Sequence, residues 1–285
     1  MASRNWILTA QCPSRLGTID AVTGLLYQNS NYISELHSFD DSHSERFFIR
    51  AQFKAEDSFD EADFRQQFAN RAEKFSMQWD LRQADYKPKV AIMVSKFDHC
   101  LNDLLYKYRI GQLAIEIPAI ISNHPDLESL AKWHNIPYHY LPITADTKAD
   151  QEAKVWQIIK QSDAELVVLA RYMQVLSADM CHKLDGWAIN IHHSLLPGFK
   201  GAKPYHQAYE KGVKTVGATA HYINDDLDEG PIIAQGIEPV DHTYFPEDLV
   251  AKGRDIERVT LSRAVRYHVE KRVFLNGNRT VVLSD

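Results

Sequence analysis

Cysteine is scarce in this 285-residue chain: Cys12, Cys100 and Cys181 are the only three, widely spaced and without a CxxC. An odd, dispersed set supports neither a disulfide framework nor a cysteine-held zinc, so each reads as a small buried or half-buried side chain. Long apolar runs are missing too. No segment approaches the roughly 18 consecutive apolar residues of a membrane span, and Met1 to Trp6 lack the basic flank, apolar core and small-residue cleavage site of a signal peptide. The expectation is a cytoplasmic protein with no membrane partner. Excess positive charge is also absent. Lys and Arg number 32 against 38 Asp and Glu, a formal net charge of −6, and no basic cluster waits for nucleic-acid phosphates, so no nucleic-acid partner is expected.

Several motifs are missing as well. There is no GxGxxG, GxxxxGK[ST] or GxSxG, which disfavours dinucleotide, P-loop and serine-hydrolase chemistry. Thirteen histidines invite a metal, but no HExxH occurs. The adjacent pair His192-His193, read as part of a strand, points to opposite faces, so no metal is expected. What is left is small-molecule chemistry on polar side chains and water.

What is present is an ordinary globular composition, 45% hydrophobic and 25% charged, at a length that suits two domains. Asn5 to Gln11 is apolar and extended, and Ile19, Val22 and Leu26 repeat at helical spacing. Tyr32 to Phe39 and Arg46 to Phe53 are β-rich runs around a polar hairpin loop; Phe64, Phe68 and Phe75 mark a helix face, and Ser76 to Arg82 is a last strand. This βαββαβ order predicts a ferredoxin-like domain over 1–84. Lys87-Pro88-Lys89 suits a linker, because proline cannot donate to a sheet ladder.

From Val90 the pattern changes to short apolar runs, Val90 to Val94, Ile117 to Ile121, Leu166 to Ala170 and Trp187 to Ile191, separated by helical stripes. That is the pattern of a parallel sheet covered on both faces, an α/β doubly wound, Rossmann-like domain assigned to 85–285. Thr215 to Ile223 and Pro231 to Glu238 follow as longer strands, then a helix over Glu247 to His268 and a hairpin around Asn276-Gly277-Asn278.

The chemistry-bearing stretch is Ala188-Ile189-Asn190-Ile191-His192-His193-Ser194-Leu195-Leu196-Pro197-Gly198. Strand alternation sends Asn190 and His192 to one face, at the carboxyl end where open α/β sheets bind ligands. Gly217, Thr219 and His221 share a face of a second strand, and the acidic run Asn224-Asp225-Asp226-Leu227-Asp228-Glu229-Gly230-Pro231 follows at once. Taken singly each feature is commonly structural: a satisfied strand-end polar residue, or a solvated loop. Their combination points to a site.

At these residues the sequence resembles the formyltetrahydrofolate-dependent formyltransferase fold family, most closely its deformylases. The resemblance covers almost the whole chain, including Leu166 to Met173, His193 to Pro197, Gly201 to Ala208 and Gly277 to Thr280. It implies that Asn190, His192 and Asp228 are the catalytic set. It also implies that Arg171, Tyr172, Met173, Gln174 and Val175, with His221, Asn224 and Asp225, line a folate pocket. Folate is then the substrate, no cofactor is implied, and the partners are formyltetrahydrofolate and water. The first domain resembles an ACT domain, which implies a homo-oligomer and an amino-acid effector, although Ser14 and Thr18 depart from that family's turn pattern.

Alternatives stay open on the residues alone: transfer to an amine acceptor such as glycinamide ribonucleotide, or a non-catalytic folate or amino-acid sensor. The turn Ser95-Lys96-Phe97-Asp98-His99-Cys100 holds no glycine to bring backbone N–H groups onto an acceptor's phosphate. The resemblance therefore implies hydrolysis to formate and tetrahydrofolate, with water activated by Asp228 and His192 and the oxyanion met by Asn190 and His192.

Overall fold

Apolar residues alternating with period two build the first sheet. In the computed structural model, which describes residues 4–198 and 204–284, the order is β1 (Arg4–Pro13), α1 (Thr18–Gln28), β2 (Tyr32–Asp41), β3 (Arg46–Ala55), α2 (Glu61–Phe75) and β4 (Gln78–Gln83). The strands lie in the order β2-β3-β1-β4, every pair antiparallel, which is the expected ferredoxin-like topology. Phe47, Ile49, Ala51 and Phe53 of β3 face one way and meet Val22, Leu25 and Leu26 of α1 and Phe64, Phe68 and Ala72 of α2 in one core. Asp60 starts α2 by accepting from the N–H groups of Ala62 and Asp63.

Of the intervening β3 residues, which face the opposite way, Phe48 and Arg50 are buried as well. Phe48 packs against Phe274 and Leu283, and the Arg50 guanidinium shares the Glu35 carboxylate, at 2.7 Å, with Arg272 at 3.1 Å. These partners come from the C-terminal hairpin, Val273–Asn276 paired with Arg279–Val282. One compact unit thus comprises the chain up to Tyr86 together with the chain from Glu270 on, and the other is Lys87–Val269. The 85–285 assignment placed this hairpin with the second domain. The second apolar face of β3 is what holds it in the first.

The second unit runs β5 (Val90–Val94), α3 (His99–Arg109), β6 (Ile120–Ser122), α4 (Glu128–Trp133), β7 (Tyr138–Tyr140), α5 (Lys148–Gln161), β8 (Leu166–Leu169), α6 (Ala178–Lys183), β9 (Ala188–His192), α7 (Pro204–Lys211), β10 (Thr215–Tyr222), β11 (Ile232–Pro239) and α8 (Pro246–Val269). Its seven-stranded sheet has the order β11-β10-β9-β8-β5-β6-β7. The five strands from β9 to β7 are parallel, while β10 and β11 are antiparallel. The strand expected over Ile117 to Ile121 begins only at Ile120, past Pro118, which has no N–H to give the ladder. The strand order reverses at β5, with β6 and β7 added on one side and β8 on the other, so a crevice opens beyond the carboxyl ends of β5 and β8, the usual ligand position in such sheets. Among the described residues, no helix is long and apolar enough to cross a membrane.

Candidate active site

The loops leaving β5, β8 and β9 meet in that crevice because a buried serine ties two of them together. Ser95, next after β5, donates its hydroxyl to Asn123 Oδ1 at 2.6 Å and accepts from the Met173 N–H at 2.9 Å. This fixes the segment after β8, where Arg171 holds a left-handed φ of 65°. The resulting cavity, about 620 Å³, is lined by Arg171 to Leu176, by Asn190, His192 and His193, by His221, and by the Asn224 to Asp228 loop.

Antiparallel register brings the polar set together. β10 sets His221 opposite Asn190 and Thr219 opposite His192. Asn190 Nδ2 lies 3.3 Å from His221 Nε2, and the other His221 nitrogen, Nδ1, is 2.8 Å from the Tyr222 carbonyl. A carbonyl only accepts, so Nδ1 carries a proton, and in the neutral ring Nε2 is the acceptor for the Asn190 amide. One amide hydrogen of Asn190 is thereby used and the second is left for the cavity.

Asp228 completes the set from the loop after β10. Its Oδ2 is 3.1 Å from His192 Nδ1 and its Oδ1 is 3.7 Å from His221 Nε2. Burial alone would raise this carboxyl, but the His192 hydrogen bond, together with the positive charge either neighbouring ring carries once it is protonated, outweighs it and holds Asp228 well below the usual carboxylate range. The ionised aspartate fixes the His192 tautomer with Nδ1–H donating, which leaves Nε2. That nitrogen is buried and, among the described residues, has no hydrogen-bond partner. Buried polar atoms are rarely orphaned, so an unpaired imidazole nitrogen in a ligand-sized cavity marks the point where a substrate or water is met.

The loop is held close by Gly230. A Cβ built there would lie 1.7 Å from the Tyr222 carbonyl oxygen, and the Tyr222 N–H donates to Pro231 O at 2.9 Å. Only glycine lets the chain pass so near β10, and Asp228, at φ 60°, is carried two residues before it.

The other expected residues divide by what their side chains do. Tyr172 turns its ring into the core, where its hydroxyl meets Gln151 Nε2 at 3.0 Å, so it offers the cavity mainly backbone. Met173 and Val175 are exposed, while Gln174 sits between them on the rim. Among the described residues, the buried Asn224 Oδ1 has no hydrogen-bond partner. Asp225 lines the cavity, yet its carboxylate pairs with His182 at 3.3 Å. Part of the Gly201 to Ala208 motif, Gly201-Ala202-Lys203, lies outside the described residues.

A second polar group on the same cavity is absent from the expected set. Glu257 of α8, 1% exposed, sits 2.7 Å from His99 Nε2 and 3.4 Å from Arg171 Nε, and accepts from the Tyr205 hydroxyl at 3.0 Å. The Arg171 guanidinium also stacks on Phe97, 5.2 Å from the ring centre. His99, Cys100 and Glu257 bring potential metal-ligand atoms within 4.8 Å of one another. The Glu257 charge is already matched by Arg171 and His99, however, and burial pushes the Cys100 thiol well up, so a cation gains little there. His193 was expected across the sheet from His192. It follows the last residue of β9, outside strand alternation, and lines the same cavity, with its ring centre 5.3 Å from that of His192.

Comparison with known proteins places the chain in a family. The formyl transferase family model matches residues 88–265. A formyltetrahydrofolate deformylase from Corynebacterium sp. (strain P-1) is 56% identical over 97% of both chains. Two crystal structures of formyltetrahydrofolate deformylases superpose closely. That from Pseudomonas putida KT2440 is 65% identical, with a TM-score of 0.93 over 98% of this chain and 100% of the other. That from Burkholderia mallei ATCC 23344 is 54% identical, with a TM-score of 0.94 over 99% and 100%. With its fold and its near full-length identity in agreement, this chain belongs to the formyl transferase family and, within it, to the formyltetrahydrofolate deformylases.

Proposed function

We propose that this enzyme hydrolyses formyltetrahydrofolate to formate and tetrahydrofolate, on the strength of His192, which lines the cavity, is backed through Nδ1 by Asp228 and leaves Nε2 without a partner among the described residues. A carboxylate held as low as Asp228 is itself a weak base. It acts by orienting His192 and stabilising the imidazolium, as the acid does in other base-orienter pairs. Water loses a proton to His192 Nε2 as its oxygen attacks the formyl carbon. The free Asn190 amide hydrogen meets the resulting oxyanion, assisted by His192 once it is protonated. Collapse breaks the bond from the formyl carbon to the folate nitrogen, which takes the proton from His192. Arg171 to Val175 and the Asn224 to Asp228 loop supply the walls for the folate ring system.

The test supplies purified enzyme with formyltetrahydrofolate and no amine acceptor, and formate should appear in step with tetrahydrofolate. Strict dependence on an added amine such as glycinamide ribonucleotide would transfer the reading to a formyltransferase.

In the same proposal the enzyme is cytoplasmic, its formate feeds purine synthesis, and the first unit is an ACT-like effector and assembly module. β2 is an edge strand whose exposed Tyr32, Leu36 and Phe39 suit sheet pairing with a second copy. Sedimentation should show an oligomer whose activity responds to glycine or methionine. A monomer at micromolar concentration, indifferent to both, refutes this part alone.

A further inference from the structure

The proposed reaction needs its water held against the formyl carbon, and none of Asn190, His192 and Asp228 is free to do so. Asp228 is engaged with two histidines, Asn190 with His221, and His192 Nε2 receives the proton. His193 is placed for the task. Its ring is half-buried in the cavity wall beside His192, and among the described residues neither of its nitrogens has a hydrogen-bond or ion-pair partner. On its other side stand Tyr205, at 6.3 Å between ring centres, and the network around Glu257 and Arg171. In that wall the one carboxylate, Glu257, is already engaged by His99, Arg171 and Tyr205, which leaves no free anion for an amine acceptor.

We infer that His193 is a water-positioning residue, which holds the attacking water between its own imidazole and His192 Nε2 and so makes water the nucleophile. The inference rests on the deformylase reading. Burial, seconded by the Arg171 charge, pushes His193 down to about 4, so the ring is neutral at physiological pH and can present both a lone pair and an N–H. Such a ring orients water without competing for its proton. The step balances as before: the water oxygen joins the formyl carbon, one water proton passes through His192 to the leaving nitrogen, and the other leaves with the formate product. His193 ends as it began.

The test compares wild type with His193→Ala and His193→Asn, by formate release and by competition with hydroxylamine, a nucleophile small enough for the vacated space. Misplacing a nucleophile by about 1 Å costs on the order of 10²-fold in rate. His193→Ala should therefore lose about that much kcat while KM for formyltetrahydrofolate stays within about threefold. His193→Asn, which restores a donor and an acceptor, should recover at least roughly tenfold of the loss. The ratio of formohydroxamate to formate should rise at least roughly tenfold in His193→Ala, a change that a merely structural role would not produce. A His193→Ala enzyme of near-normal kcat overturns the inference, as does a slow one whose product ratio stays at the wild-type value and which asparagine does not rescue. Wild-type enzyme that releases no formate without an amine overturns the deformylase reading, and this inference with it.

Discussion

Asp228→Asn is expected to keep folate binding within a few-fold and to lose about 10²–10⁴-fold in kcat, the usual share of a positioned acid/base system. The physical reason lies in His192. Asparagine can present its NH₂ or its carbonyl to Nδ1 but carries no charge, so the tautomer is no longer fixed and the imidazolium formed as water is deprotonated loses its counter-ion. Initial rates of formate release with titration of a non-hydrolysable folate separate the two quantities, and a variant of near-normal rate removes Asp228 from the mechanism. The same variant reads out the carboxyl's depressed titration. A group held low in the folded state contributes stability that is fully present above its unfolded value, about 3.9 for aspartate, and that is lost as pH falls through the folded value. Any stability gap between wild type and Asp228→Asn should thus be constant from neutral pH down to roughly 5 and narrow only below about 4. A gap that instead closes between pH 6 and 8 would place the titration on another group.

The residues that make this site were unequally legible. Strand alternation alone gave Asn190 and His192 a common face, while it was the family resemblance that marked them as site residues. Asp228 stood in an acidic run that single-residue reasoning could not sort. The selecting feature is Gly230, whose contact with a carbonyl of β10 exists only once the strands are paired. His193 was misplaced because alternation was carried one residue past the end of β9, which stops at His192. Glu257 did leave a signal. Gly253, Glu257 and Leu261 recur every four residues on the buried side of α8, so a carboxylate sits in an apolar stripe, and a charge there needs a partner. Its partners, His99, Arg171 and Tyr205, come from three separate segments, and nothing in their spacing could have joined them. The C-terminal hairpin was legible as a hairpin but not as part of the first unit, since Phe48 and Phe274 meet across more than two hundred residues of intervening chain.

Gly230→Ala is expected to lower kcat by on the order of 10²-fold or more without touching any group that does chemistry. The added methyl would lie 1.7 Å from the Tyr222 carbonyl oxygen and 3.3 Å from His221 Nδ1, and the nearer neighbour is backbone that cannot swing aside. That carbonyl also accepts from His221 Nδ1 at 2.8 Å, so moving it would turn the imidazole against which Asn190 is set. The remaining escape is for the loop to lift from β10. Asp228 travels with it, and its 3.1 Å contact with His192 Nδ1 lengthens beyond hydrogen-bonding range. Overpacking of this kind costs about 1–3 kcal/mol of stability, so the fold should persist and the loss should fall on kcat. Gly212→Ala is the control. It puts a side chain at a positive φ, 60°, where its Cβ meets nothing within 4 Å. It should lose a little stability and no turnover. If Gly230→Ala turns over at the Gly212→Ala rate, the close passage of the loop over β10 does not set the position of Asp228, and the aspartate must be held by its histidines alone.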